Sequence, residues 1–337
     1  MKKTLVILGV LFSLVSSAQQ VAKGLTASNG EYIGFYEYKP ADYNTNTKYP
    51  VIIFLHGIGE RGNGTTELSR VLGPGIPGAI QNGHNMRFFW NGKWETFLVL
   101  SPQLNSKYGS WQNWYVEEMI NYATRNLSID PNRIFLTGLS LGGGGTWKYA
   151  AASLTNAKKL AAIGVCCGTC ENVDFSNIAK ANLPTWAWHA KDDGTVGAGC
   201  SSGSITAINN ANPAVKPYLT LWETGQHWIW GRVYNTDYAA QHPNIFEWFL
   251  GQDKSKPVNK RPIANAGPDQ TISALTGTAT LNGSGSRDDD GKIVRYVWSK
   301  VSGPNYGTIA SPVSTSATTT VSGLTAPGTY VFELRVI

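Results

Sequence analysis

Charge is scarce in this chain. Asp, Glu, Lys and Arg together make up 15% of its 337 residues, against roughly a quarter in an ordinary globular protein. The formal net charge is +6, of which Lys2 and Lys3 supply two, and the remaining basic residues are scattered. Without a basic stripe, nucleic acid is excluded as the expected partner. Long apolar runs are scarce too. The run from Leu5 to Val15 is too short to span a bilayer comfortably, and no later stretch is long enough to try. Flanked by Lys2 and Lys3 on one side and Ser16-Ser17-Ala18 on the other, it reads as a signal peptide over residues 1–18. The expectation is a secreted, extracellular protein that does not span a membrane and begins near Gln19. Cysteine is limited to Cys166, Cys167, Cys170 and Cys200. In an exported chain disulfides are allowed, and three pairings of four cysteines exist. Cys167 and Cys170 have the local spacing of zinc ligands, but a second such pair is missing. The expectation is no metal and at least one disulfide, tying the loop Cys166 to Cys170 to Cys200.

What is present is enough apolar sequence, 42% of the residues, for a large core. From about Glu31 to Gln252, short apolar strands alternate with helical stretches. The strands are expected at Tyr32–Tyr38, Val51–Leu55, Phe97–Leu100, Ile134–Leu136, Ala161–Val165, Thr185–Trp188 and Leu219–Trp222. The helices are expected at Tyr115–Asn126, Gly143–Leu154, Ser204–Asn210 and Ile245–Leu250. That order predicts an α/β fold over residues 19–252, a mostly parallel sheet with helices on both faces and functional loops at the carboxyl ends of its strands. Residues 253–262 (DKSKPVNKRP) are polar, basic and interrupted by proline, as in a linker. Residues 263–337 are rich in Thr, Ser, Gly and Val, lack helical periodicity, and alternate at Thr278–Leu281, Val294–Trp298 and Tyr330–Val336. They predict a small all-β sandwich.

The strongest local signal is Gly138-Leu139-Ser140-Leu141-Gly142, between a strand and a glycine-rich helix start. A serine on a sharp strand-to-helix turn needs small neighbours, and the helix that follows aims its amides at the place where negative charge develops. Ser140 is therefore the expected nucleophile. Its acid and then its base should follow it in the chain. His56 and His84 come too early, and His189 falls inside a strand end. His227 lies on the loop after the last strand, where a base belongs, whereas His242 precedes Pro243 at a helix start and reads as a surface or capping residue. The strand end after Trp188 offers both Asp192 and Asp193, and alternation cannot choose between neighbours. Two backbone donors should hold a tetrahedral oxyanion. One is Leu141 N–H, and the other comes from the glycine-containing loop after Leu55, with Ile58 N–H as first choice and Gly59 N–H as second.

Taken together, LHGIGERG at Leu55–Gly62, IDPNRIFLTGLSLGGGGTW at Ile129–Trp147, HAKDDGTV at His189–Val196 and GQHWIW at Gly225–Trp230 resemble exported α/β-hydrolase esterases of the polyhydroxybutyrate-depolymerase and feruloyl or acetyl-xylan esterase kind. The resemblance covers roughly Glu31 to Gly251. It implies an α/β-hydrolase fold, a Ser-His-Asp triad without cofactor, and an ester substrate, above all acylated plant or cell-wall polysaccharide. His189 to Val196 resembles the acid loop of such esterases, in which the aspartate stands four residues after the histidine and three before the valine. This selects Asp193 and leaves Asp192 as a solvated neighbour or turn residue. Ala190 departs from the glycine usual there, and the cysteine cluster has no counterpart in the resemblance.

Residues 264–270, 283–291 and Tyr296-Val297-Trp298 resemble a PKD-type immunoglobulin-like module, a spacer or carbohydrate-associated appendage. Its usual length implies that the chain continues beyond Ile337. Asp288 and Asp290 read as a polar turn, with calcium ligation as the rival. Among the aromatics, Trp111, Trp114, Trp228 and Trp230 stand near loops at the catalytic edge, and Trp228 and Trp111 are the expected substrate contacts. Two other functions compete with the esterase. One is a peptidase of the prolyl-oligopeptidase kind, disfavoured because no propeller precedes the catalytic stretch. The other is a non-catalytic carbohydrate-binding or adhesion protein, disfavoured by an intact nucleophile, acid and base in order. The oligomeric state is not legible.

Overall fold

Fully apolar strands can be central only where helices cover both faces of a sheet, and that is where YPVIIFL lies. The computed structural model describes residues 19–236, 243–256, 262–273, 275–289 and 291–337. The expected signal peptide, His242 and Asp290 fall outside them. Ten strands occupy the first unit: β1 (Gln19–Thr26), β2 (Tyr32–Lys39), β3 (Tyr49–Leu55), β4 (Arg87–Trp90), β5 (Lys93–Thr96), β6 (Leu98–Pro102), β7 (Ile129–Leu139), β8 (Ala162–Cys166), β9 (Thr185–Ala190) and β10 (Tyr218–Trp222). Eight of them form one sheet in the order β1-β2-β6-β3-β7-β8-β9-β10, and β4 pairs with β5 as a separate hairpin. β1 with β2, and β2 with β6, run antiparallel. From β6 to β10 every pairing is parallel.

The helices are α1 (Gly75–Gln81), α2 (Asn113–Asn126), α3 (Leu141–Ala152), α4 (Leu154–Lys159), α5 (Ser176–Lys180), α6 (Gly199–Asn210), α7 (Trp230–Val233) and α8 (Ile245–Leu250). Strand alternation divides the core in two. Val51, Ile53 and Leu55 of β3 pack with Tyr115, Met119 and Trp147 from α2 and α3. Ile52 and Phe54 face the other way, onto Ile76, Phe88, Phe246 and Phe249. α8 begins with a reciprocal cap, in which Asn244 accepts from the Glu247 amide and Glu247 accepts from the Asn244 amide, a standard way to satisfy two open donors of a first turn.

The C-terminal unit holds β11 (Ala279–Asn282), β12 (Tyr296–Ser302), β13 (Thr308–Ile309), β14 (Val313–Ser314), β15 (Thr318–Ser322) and β16 (Val331–Val336). They form two three-stranded sheets, β11-β15-β13 and β14-β12-β16. Leu281, Trp298, Val321, Leu324 and Leu334 are buried between them.

The structure departs from the sequence reading in several places. β1 and the β4–β5 hairpin were not expected, and neither were α1, α4, α5 and α7. The stretch 253–256, read as linker, is tied to the first unit. Lys254 N–H donates to Asn132 O at 3.1 Å, and its ammonium donates to Lys159 O at 2.7 Å. This cation satisfies a carbonyl at the C-terminal end of α4, where helices leave acceptors open.

Candidate active site

Ser140 occupies the turn between β7 and α3 at φ 53° and ψ −119°, a conformation costly for any residue with a Cβ. The neighbouring glycines are required by close packing. A Cβ on Gly142 would stand 2.0 Å from Leu55 O, and one on Gly138 would stand 2.4 Å from Gly142 O. The Ser140 amide donates to Cys166 O at 2.9 Å, which ties the turn to the end of β8. α3 begins at Leu141, two residues before the expected start, so the residue after the serine is already in the helix's first turn.

His227 Nε2 lies 2.8 Å from Ser140 Oγ, and His227 Nδ1 lies 2.8 Å from Asp193 Oδ2. The three residues come from the ends of β7, β9 and β10, on loops that a parallel sheet gathers at one edge. Ser140 and His227 are each 8% exposed, so the pair is sheltered yet reachable. Asp193 Oδ1 accepts from the amides of Thr195 and Val196, each at 2.9 Å. Burial pushes the Asp193 carboxyl up, but the His227 ring N–H, the two amides and the nearby imidazole charge outweigh it and hold the group below its usual range. Asp193 is thus an anion fitted to keep His227 in the tautomer whose Nε2 can take a proton.

Asp192, expected as a solvated neighbour or turn residue, is exposed but holds a neighbouring loop. Its carboxylate accepts from Gln226 N–H at 2.7 Å and Gly225 N–H at 3.2 Å. It therefore holds the backbone of the loop that carries His227, where Gln226 sits at φ 50°. His189, passed over as a strand-end residue, is buried with its Nε2 3.1 Å from Asp193 Oδ2. Only its spacing of four residues ahead of Asp193 was visible in sequence.

The loop expected to complete an oxyanion site runs alongside the serine. A Cβ on Gly57 would stand 3.6 Å from Ser140 Cβ, and Ile58–Glu60 follows as a short 3₁₀ turn. His56 braces this loop from within, with Nδ1–H donating to Gly57 O at 2.6 Å and Nε2 accepting from Leu104 N–H at 3.0 Å. Burial drives its pKa down to about 4, with Arg61 adding to the effect and the Gly57 carbonyl opposing it.

One expected substrate contact is overturned. Trp111 is 1% exposed, and its indole N–H donates to His56 O at 3.1 Å. It packs beneath the loop and cannot reach substrate. Trp228 is 69% exposed beside His227, edge-on to Trp230 at 4.8 Å between ring centroids. A cavity of about 1320 Å³ bounded by described residues lies between the two units and is lined by Trp186, Trp222 and Val297 among others, but by none of the three triad residues.

Cys170 and Cys200 form a disulfide that ties the loop Cys166 to Cys170 to Cys200 as expected, and Cys200 lies at the start of α6. Cys166 and Cys167 are free and buried. Cys167 Sγ lies 3.5 Å from His227 O, directly beneath the histidine loop. Cys167, Asp193 and His227 present potential ligand atoms within 4.8 Å of one another. Two of these three already share the short hydrogen bond of the triad, which accounts for their proximity without a metal.

Residues 266–337 match the family model for a PKD domain of the KIAA0319-like kind. The dyslexia-associated protein KIAA0319-like protein of Mus musculus is 41% identical over 101 residues, which cover 30% of this chain and 9% of that protein. This chain thus spans less than a tenth of that curated relative. Among solved structures, a thermostable esterase is similar at 24% identity and a TM-score of 0.52, covering 71% of this chain and 64% of that one. Pyrococcus horikoshii acylaminoacyl peptidase is similar at 13% identity and a TM-score of 0.51, covering 74% of this chain and 44% of that one. With the sheet order and the serine turn, these likenesses establish an α/β-hydrolase fold followed by a PKD-type β-sandwich.

Proposed function

We propose that this chain is a secreted serine hydrolase that cleaves carboxylic esters, removing feruloyl or acetyl groups from plant or cell-wall polysaccharide. The observation that carries the proposal is the unbroken hydrogen-bonded line from Ser140 Oγ through His227 to Asp193. Ser140 Oγ attacks the ester carbonyl as His227 Nε2 takes its proton. The Leu141 and Ile58 amides receive the oxyanion, and collapse of the tetrahedral species expels the alcohol with the proton returned by His227. Water then repeats the sequence on the acyl-enzyme. Asp193 stabilises the imidazolium and does not itself take the proton.

An ester rather than an amide is favoured by the combined motifs around Gly57, Ser140, Asp193 and His227. Trp228 offers an exposed aromatic face for a phenolic acyl group or a sugar ring. The Cys170–Cys200 bridge suits an oxidising compartment. The test is hydrolysis of short-chain p-nitrophenyl esters by the full chain and by Ser140→Ala, whose turnover should fall on the order of 10⁵-fold or more. Equal rates would end the proposal. A panel of acetyl, feruloyl, polyhydroxybutyrate and peptide substrates then resolves the acyl group, and faster cleavage of the peptide would move the assignment to a peptidase.

A further inference from the structure

His189 lies outside the three-residue line, yet its ring is fully buried against the acid that anchors it. Its Nε2 faces two oxygens, Val196 O at 2.8 Å and Asp193 Oδ2 at 3.1 Å. Both are acceptors, so the ring proton belongs on Nε2, and Nδ1 is left to take the Ser201 hydroxyl at 2.8 Å. The one Nε2–H is shared between Val196 O and Asp193 Oδ2, so Oδ2 receives the His227 N–H and a share of the His189 N–H, while Oδ1 receives two amides. Ser201 stands in the first turn of α6 beside Cys200, whose disulfide to Cys170 fixes that end of the helix covalently. The side chain of His189 thus joins a strand, the acid loop and a clamped helix, and all three converge on one carboxylate oxygen.

We infer that His189 is a positioning residue of the triad: through its Nε2–H it fixes the orientation of Asp193 Oδ2 and draws off part of its negative charge. The inference rests on the triad reading above. A carboxylate has rotational freedom about its last bond, and the two amides on Oδ1 restrain only one end of it. A donor on the inner side of Oδ2 leaves its outer lone pair aimed at His227 Nδ1. The same donor sets how strongly Asp193 stabilises the imidazolium. Without it, negative charge concentrates on the His227 hydrogen bond, and His227 holds its proton to higher pH.

The remaining titratable groups around this web do not supply the same contact. Cys167 faces it from the end of β8 and Cys166 lies behind, where burial and its neighbouring thiol push the Cys166 group well up and keep it neutral. Asp192 is committed to the histidine loop backbone, and Lys191 pairs outward with Glu223 at 2.5 Å.

The experiment compares His189→Leu, which removes the donor, with His189→Gln, which returns an N–H near the position of Nε2. In the full chain, the deshielded His227 Nδ1–H proton is followed by NMR against pH, and p-nitrophenyl acetate kinetics are measured alongside. For His189→Leu, kcat should fall about 10- to 100-fold, the range typical of partners that orient functional ligands. KM should change little, and both the NMR midpoint and the acid limb of kcat/KM should move to higher pH. His189→Gln should recover most of each effect. Wild-type kcat and an unmoved midpoint in a folded His189→Leu protein would overturn the inference. So would equal losses in both variants with no pH shift, the mark of a packing defect. If His189→Leu does not fold, Ser201→Ala decides: a several-fold fall in kcat at constant KM supports the inference, and unaltered kcat and midpoint overturn it. The NMR signal needs no substrate, so a protein that hydrolyses no ester but shows the midpoint shift refutes the esterase reading alone.

Discussion

Ser140 is placed by backbone packing, with Gly138 and Gly142 pressed against the Leu55 carbonyl, whereas Asp193 and His227 are placed by hydrogen bonds from side chains and loop amides. The serine side uses a strained turn that only small neighbours permit, so its geometry is over-determined by close contacts. The acid–base side uses loops, and each of its groups is held by another polar group that is itself held. Packing of the first kind resists single substitutions until a clash or cavity appears. A hydrogen-bond web of the second kind loses function in steps, because removing one member misaligns the next.

After loss of the Ser140 nucleophile itself, the largest expected effect lies on the acid–base side. Asp193→Asn keeps the size of the side chain and one oxygen for the Thr195 and Val196 amides, but it offers His227 Nδ1 an amide N–H in place of an acceptor. The imidazole then takes the other tautomer, and turnover should fall on the order of 10⁴-fold, as happens when the aspartate of such a triad becomes asparagine. Steady-state kcat on p-nitrophenyl esters checks this. A loss below tenfold would mean that His227 is oriented by something other than Asp193.

The serine side is tested by pH instead of by turnover. His56 is fully buried under the Gly57–Ile58 loop with its pKa lowered to about 4, against 6.5 when exposed. The unfolded chain therefore binds the extra proton first as pH falls. Stability is complete above about pH 6.5 and declines as pH drops toward 4, by up to about 3 kcal/mol from this group alone. Urea unfolding midpoints at pH 7.5 and pH 4.5 should show the decline, and His56→Gln, though less stable at pH 7.5, should lose much of the slope. An equal slope in both proteins would remove His56 as its source.

The same contrast explains what could be read from the chain. The serine turn was legible because packing that tolerates only glycine writes Gly-x-Ser-x-Gly into the sequence, and most strands of the parallel sheet were legible from their apolar runs. His227 followed from chain order and its place after the last strand. Asp192 and Asp193 were indistinguishable by alternation, since the choice depends on which carboxylate the loop turns inward. Trp111 was misplaced because an aromatic near a loop reads the same whether it faces solvent or braces the loop from beneath. β1 was missed because QQVAKGLT sits at the sheet edge with Val21 46% exposed, so its apolar pattern is weak. His189 left no signal beyond its spacing to Asp193, because a buried imidazole that serves an acid has the same sequence as one that merely fills space.

The smallest expected effect separates the two adjacent aspartates. Asp192 is exposed and touches neither Ser140 nor the His227 ring, but it anchors the Gly225 and Gln226 amides, and Gln226 is held at a positive φ. Two hydrogen bonds to a charged acceptor at an exposed site are worth about 1–2 kcal/mol together after solvent competition. That energy is enough to let Gln226 relax some of the time and carry His227 out of line. Asp192→Ala should therefore lower kcat by about fivefold to thirtyfold, the rate equivalent of losing that restraint. Because the loop is also held by Arg232, whose guanidinium donates to Thr224 O at 2.8 Å, a double variant with Arg232→Ala should lose more than the product of the single losses. Strict multiplicativity would show the two anchors to be independent, and a loss in Asp192→Ala as large as in Asp193→Asn would exchange the roles assigned to the two carboxylates.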